Sequence, residues 1–198
     1  MMRNTILFML VLGMLIFSCS PRNIADHYYR NKANLDSIHE NYKTLIHENV
    51  FTLFFKERSY RSITLEIFTD SLKYIYYFKT NEPGLYDTLV KYKIRPENFY
   101  LLMNEMIRVR SLWVAKLDYY IRSKKEDLIY ISFRSRPLWF LFTPQKYFMI
   151  NWFQTPQHYN ERGILLNELS KSTPRELNDR ISHRINDTVA YRISNRFR

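Results

Sequence analysis

The stretch Ile63-Thr64-Leu65-Glu66-Ile67-Phe68-Thr69-Asp70-Ser71-Leu72-Lys73-Tyr74-Ile75-Tyr76-Tyr77-Phe78-Lys79 decides the fold. Ile63, Leu65 and Ile67 alternate with Thr64, Glu66 and Phe68. Leu72, Tyr74, Tyr76 and Phe78 alternate with Lys73, Ile75, Tyr77 and Lys79. Successive side chains of a strand point to opposite faces, so a period of two on both sides of a short polar break predicts an antiparallel hairpin. Asp70-Ser71 supplies the turn. Asn81-Glu82-Pro83-Gly84 ends the second strand, because proline fixes φ and glycine permits positive φ.

Toward the N-terminus, Val50 to Phe55 is a compact apolar run that reads as a strand or the entry to one. Before it, Leu35, Ile38, Tyr42, Leu45 and Ile46 recur at three and four residues, which predicts an amphipathic helix ending near Asn49. Toward the C-terminus, residues 85–94 are ambiguous. Pro96-Glu97 then opens a helix with Phe99, Leu102, Met103, Met106 and Arg110 along its inner stripe, proline being tolerated in a first turn. The period returns to two at Trp113, Ala115, Leu117, Tyr119 and Ile121. Ser123 to Asp127 reads as a charged turn, and Ile129, Ile131 and Phe133 as the return strand.

Leu138 to Phe142 and Tyr147 to Phe153 read as a further hairpin around Pro144-Gln145-Lys146. Thr173-Pro174-Arg175-Glu176 has the form of a capping box, followed by Leu177, Ile181 and Ile185 at helical spacing. Val189, Tyr191 and Ile193 suggest a last strand. The expected fold is a single α+β domain, with an antiparallel sheet of five to seven strands covered by helices. A small calyx-like β-barrel is the alternative, because the strands are short and regularly spaced.

The first residues have a different character. Arg3 precedes an apolar run from Ile6 to Phe17, and Ser18-Cys19-Ser20 follows. A basic residue, a short apolar stretch and a small residue before a cut are the three parts of a secretory signal. The run is short of the roughly 20 apolar residues that span a bilayer as a helix. Ile16-Phe17-Ser18-Cys19 resembles the lipobox of bacterial lipoproteins, with an aliphatic residue three before the cysteine and a small residue directly before it. The resemblance implies that the Cys19 thiol accepts a diacylglyceryl group and that a dedicated peptidase cuts before it. Two or three acyl chains on one residue would hold the domain on its membrane, since one chain binds only marginally and two hold stably. Cys19 is the only cysteine, so disulfides and CxxC chemistry are excluded.

The expected organisation is therefore a signal peptide at 1–18, a lipidated tether at 19–32, an α+β domain at 33–160 and a basic helical extension at 161–198. Removing the 18 signal residues from 198 leaves 180, enough for one domain with a real core. Aromatic content of 17% and charged content of 25% place that part among globular chains. The formal net charge is +11, and loss of Arg3 with the signal leaves +10. Such a balance favours anionic partners. For an exported protein these are lipid head groups, lipopolysaccharide phosphates or cell-wall polymers; nucleic acid is not an expected partner. Ser20-Pro21-Arg22-Asn23 after the cysteine favours the periplasmic side.

No residue pattern predicts a catalytic site, a metal site or a cofactor. His39-Glu40 and His47-Glu48 lie eight residues apart, about 12 Å along a helix, too far for one metal to bridge. With three glycines in the chain no Gly-rich phosphate loop can form, and no GxSxG elbow is present. The best candidate binding surface is the aromatic-basic stretch from Arg134 to Trp152, with Arg134, Arg136, Trp139, Lys146 and Trp152, residue types enriched at interaction hot spots. Sheet core is the competing use of its alternating residues.

Asp-Ser or Asp-Thr followed by an aliphatic residue occurs at Ser37, Ser71, Thr88 and Thr188, using four of the eight aspartates. The pattern is similar to the O-glycosylation sequon of exported proteins in one phylum of Gram-negative bacteria, which implies glycans on those hydroxyls. Turns and caps are the local alternative. Together these readings predict a lipid-anchored, non-enzymatic interaction or scaffold domain of the cell envelope. A carrier of a lipid or other apolar ligand, and an enzyme whose site assembles only in three dimensions, are the alternatives.

Overall fold

The computed structural model describes residues 21–47, 49–121, 124–134, 147–165 and 182–194. In chain order the elements are α1 (Pro21–Arg30), α2 (Lys32–Leu45), β1 (Val50–Phe55), β2 (Ser62–Phe68), β3 (Lys73–Lys79), α3 (Pro83–Lys91), α4 (Pro96–Val109), β4 (Ser111–Ile121), β5 (Lys124–Arg134), β6 (Tyr147–Phe153), β7 (Ser182–Arg184) and β8 (Val189–Ser194). The strands form one antiparallel sheet in the order β3-β2-β1-β4-β5-β6-β8-β7. Among the described residues it has eight strands rather than five to seven. It is open, with β3 and β7 at its edges, so the barrel alternative does not describe it.

The hairpin that decided the reading has the expected register. Ile63 lies opposite Phe78, Leu65 opposite Tyr76 and Ile67 opposite Tyr74, with residues 69–72 making the turn. The Thr69 hydroxyl closes that turn by donating to the Leu72 carbonyl at 3.0 Å. On α2 the stripe of Leu35, Ile38, Tyr42 and Leu45 is buried. On α4 Phe99, Leu102, Met103, Met106 and Val109 are buried, with Pro96 at the first turn. Arg110, expected on that stripe, is instead the left-handed residue that ends α4 at φ 59° and turns the chain into β4. Residues 85–94 contain most of α3, whose Leu85 and Leu89 are buried one turn apart.

Helices contribute to one side of the sheet, called here the helix face. Phe51 packs edge-on against Tyr42 of α2 at 5.2 Å and beside Phe99 of α4 at 5.6 Å. Ile63, Leu65, Ile67, Val114, Ile131, Ile150 and Tyr191 continue this layer across the sheet. Burying a side chain of this size stabilises by about 1.5–3 kcal/mol. The second face carries its own apolar cluster of Trp113, Ala115, Tyr119, Leu128, Tyr130, Met149, Phe153 and Ala190. Strands in the middle of the sheet are therefore buried on both sides, which is why Val50 to Phe55 is apolar at every position except Thr52.

Three expected segments differ. Residues 21–30, read as tether, form α1, with Ile24 and Tyr28 buried in the helix-face core. Residues 124–127, read as a charged turn, extend β5. Asp118 and Asp127 face each other there. Diagonal pairs from Lys125 to Asp118 and from Lys116 to Asp127, each at 2.8 Å, offset the like charge. Ser182–Arg184, read as helix, is β7, and the sheet takes in residues 182–194 beyond the boundary expected at 160. An Asn186 turn sets that hairpin: its Oδ1 accepts from the N–H groups of Thr188 at 2.9 Å and Val189 at 2.8 Å. The expected strand at 138–142 and the capping box at 173–176 lie outside the described residues. Among the described residues, no helix is long and apolar enough to cross a membrane.

Candidate basic cleft beside the second helix

Helix α2 has an inner stripe that seals the core and a flank that overhangs the sheet. His39 and Lys43 lie one turn apart along that flank, and His47, two residues past the end of α2, lines the same cleft. Opposite them stand Lys116 of β4, Asp127 and Ile129 of β5, and Trp152 of β6. Together they enclose a cleft of about 390 Å³. On the other side of Lys43 and His47 lies a second hollow of about 400 Å³, lined also by Glu40, Lys93, Arg95 and Asn98. Lys43 and His47 are shared, so the two hollows flank one basic ridge.

Trp152 forms the inner wall. It is only 6% exposed, and the His39 ring stacks on it at 5.5 Å with an interplanar angle of 16°. Burial pushes the His39 imidazole below its ordinary pKa of 6.5, and the neighbouring Glu40, 3.0 Å from Nδ1, offsets part of that. At neutral pH His39 is therefore an uncharged wall. Lys116 is committed to Asp127. Lys43, Lys93 and Arg95 are exposed, with Glu40 the carboxylate lining the same hollow. The arrangement can hold an anionic group in water-accessible surroundings, with the carboxylate-bound Lys116 below. His39 and His47 both line this cleft. Among the described residues, no three His, Cys, Asp or Glu side chains converge as a metal site would require.

A second polar group lies near the end of the β4–β5 ribbon. The Tyr119 hydroxyl donates to Glu126 Oε2 at 2.9 Å, Thr155 Oγ1 donates to the same oxygen at 2.6 Å, and Gln157 Nε2 donates to the Tyr119 oxygen at 3.3 Å. Burial and the Glu126 carboxylate raise the Tyr119 phenol. These bonds satisfy one another and tie residues 155–157 to the sheet.

The sequence candidates are scattered. Cys19, Arg136, Trp139 and Lys146 lie outside the described residues. Arg134 ends β5. Of the aromatic-basic stretch, Trp152 is placed in detail, and it is a buried wall rather than an exposed contact. Ser37 sits exposed on α2 and donates to Glu105 Oε1 of α4 at 2.5 Å. Ser71 is exposed in the β2–β3 turn. The Thr88 hydroxyl donates back to the Gly84 carbonyl at 2.8 Å within α3, and Thr188 contacts Asn186 Oδ1 at 3.3 Å in the turn before β8. The four sequons thus occupy two helices and two turns. Sequence reading missed the cleft, although the i, i+4, i+8 recurrence of His39, Lys43 and His47 was visible. Comparison with protein-family models, curated proteins and solved structures returned no match.

Proposed function

We propose that the protein is a lipid-anchored, non-enzymatic interaction domain of the bacterial cell envelope, held through Cys19 and facing the periplasm. In this reading it binds an anionic group of an envelope protein or polymer on the basic ridge of α2. The observation that carries the binding half is the placement of Lys43 and His47 between two water-accessible hollows, with Lys93 and Arg95 in the same surface. The mixed polar and charged lining of the cleft, with Lys43, Lys116 and Asp127, supports an interaction domain over an apolar-ligand carrier.

The test is co-sedimentation of the purified full chain with lipopolysaccharide, compared with a Lys43→Glu/Lys93→Glu/Arg95→Glu chain. The positions are exposed, so the fold is expected to persist. Binding should fall at least tenfold in the triple variant and weaken with salt in the parent. Equal binding by both chains would sink the assignment of this surface. Glycosylation at Ser37, Ser71, Thr88 or Thr188 belongs to the same envelope reading. Mutating all four hydroxyl residues should raise electrophoretic mobility, and no change in mobility would remove it.

A further inference from the structure

Strand β3 forms one edge of the sheet, and among the described residues it pairs only with β2. In an antiparallel pair, residues that exchange main-chain hydrogen bonds alternate with residues whose groups point away. The two ends of the β2–β3 hairpin fix the phase of that alternation. Thr69 N–H donates to the Leu72 carbonyl at 2.9 Å, and Thr80 N–H donates to the Arg61 carbonyl at 3.0 Å. Residues 72 and 80 therefore turn toward β2, and so do 74, 76 and 78. Lys73, Ile75, Tyr77 and Lys79 turn their main-chain groups outward.

One end of this edge is already closed. The Lys79 N–H donates to Glu82 Oε2 at 3.0 Å, and the Lys79 carbonyl accepts from the Glu82 N–H at 3.1 Å. Among the described residues three open rungs remain, at Lys73, Ile75 and Tyr77, and they are symmetric about Ile75. Their side chains share the second face, where Ile75 is 46% and Tyr77 71% exposed. Natural edge strands are usually blunted by charge, proline or a bulge. The charge of Lys73 is offset by Glu66 at 2.9 Å, so the middle of this edge remains apolar.

We propose that β3 pairs antiparallel with β3 of a second copy of this chain, about a two-fold axis through Ile75. In that register Ile75 faces Ile75, and Lys73 faces Tyr77 of the second copy. Lys79 runs beside the exposed Asp70-Ser71 turn of the other chain, which places opposite charges together twice by symmetry. The neighbouring register, centred on Tyr76, would set Lys73 against Lys79 and use rungs that Glu82 has closed. A contact of this kind is isologous and closes at two copies. It uses a surface separate from the α2 cleft and does not rest on that assignment.

Cysteine cross-linking of the full chain in detergent solution, with Cys19→Ser to remove the native thiol, tests it. Facing residues of a bonded antiparallel pair have Cα atoms about 5.5 Å apart, within disulfide range. Ile75→Cys should oxidise to a covalent dimer. Tyr77→Cys should not, because its counterpart lies about 13 Å along the strand in this register. Ile75→Lys, an exposed change checked by circular dichroism, should sediment as a monomer where the parent chain sediments as a dimer. A parent chain that is monomeric at every concentration, or equal cross-linking at positions 75 and 77, would overturn the proposal.

Discussion

Tyr42 and Asn151 are both buried polar side chains, and they lie on opposite sides of the same sheet. On the helix face the Tyr42 hydroxyl donates to the Phe51 carbonyl, and burial pushes its phenol far above the ordinary range. On the second face Asn151 is 1% exposed, and neither its Oδ1 nor its Nδ2 has a hydrogen-bond partner among the described residues. Ser132 Oγ and Thr64 Oγ1 share that condition. The strand register puts Thr64, Phe54, Trp113, Ser132, Met149 and Arg192 in one row across the second face, with Asn151 beside it. The Arg192 guanidinium donates to Met149 Sδ at 3.2 and 3.3 Å. The two faces thus differ in what holds them. Apolar packing dominates the helix face, where the Tyr42 hydroxyl is bonded and His27 Nε2 is not, whereas the second face sets a row of buried hydroxyl and amide groups among its apolar residues.

The largest expected effect tests the packed side. Phe51→Ala removes a fully buried ring between Tyr42 and Phe99 and should cost about 3–5 kcal/mol in urea unfolding. A loss below about 1 kcal/mol would mean that the helix layer does not close on β1 as described. Tyr42→Phe leaves the Phe51 carbonyl without its buried donor and should cost about 1–3 kcal/mol by the same measurement. No loss would show that the hydroxyl is dispensable to the helix face.

The next effect is a pH dependence. His27 lies edge-on to the stacked pair Phe133 and Phe148, at 5.1 and 5.4 Å, and its Nε2 is buried without a hydrogen-bond partner among the described residues. Burial holds the imidazoles of His27 and His39 below their ordinary 6.5, with Arg30 adding to the effect at His27. The unfolded chain then binds these protons more readily, so stability is full above about pH 6.5 and falls as pH drops toward the folded values. His27→Leu should flatten that slope. An unchanged slope in a His27→Leu/His39→Leu chain would place the dependence elsewhere.

The smallest effect separates the faces most sharply. Ser132→Ala removes a buried hydroxyl that has no partner among the described residues, and it should change stability by less than about 0.5 kcal/mol in either direction. A cost well above about 1 kcal/mol would show that the Ser132 hydroxyl is bonded in the folded chain.

The helix face was the legible one, because both of its layers repeat. Leu35, Ile38 and Tyr42 mark the helix period, and Ile63, Leu65 and Ile67 mark the strand period. Legibility failed where burial used few residues or where contacts came from far along the chain. Among the side chains described on α1, Ile24 and Tyr28 are the buried apolar ones in a polar sequence, so its pattern reads as a tether. Strand β7 is three residues long and polar, and its identity comes from Arg192 and Tyr191 across the ladder rather than from its own pattern. The turn before β8 depends on the Asn186 side chain, a local bond that competes with the helical spacing of Leu177, Ile181 and Ile185. The cleft was illegible for a related reason. Lys43 and His47 announce only an exposed flank, and their meaning depends on Lys116 and Trp152 standing opposite.

The claim that the domain is a lipid-anchored envelope protein has one direct measurement. Cells expressing the full chain are grown with labelled fatty acid, beside cells expressing Cys19→Ser. The account predicts label on the parent chain, none on the variant, and a parent chain that sediments with membranes. Label persisting on Cys19→Ser, or a parent chain that carries none, would contradict it.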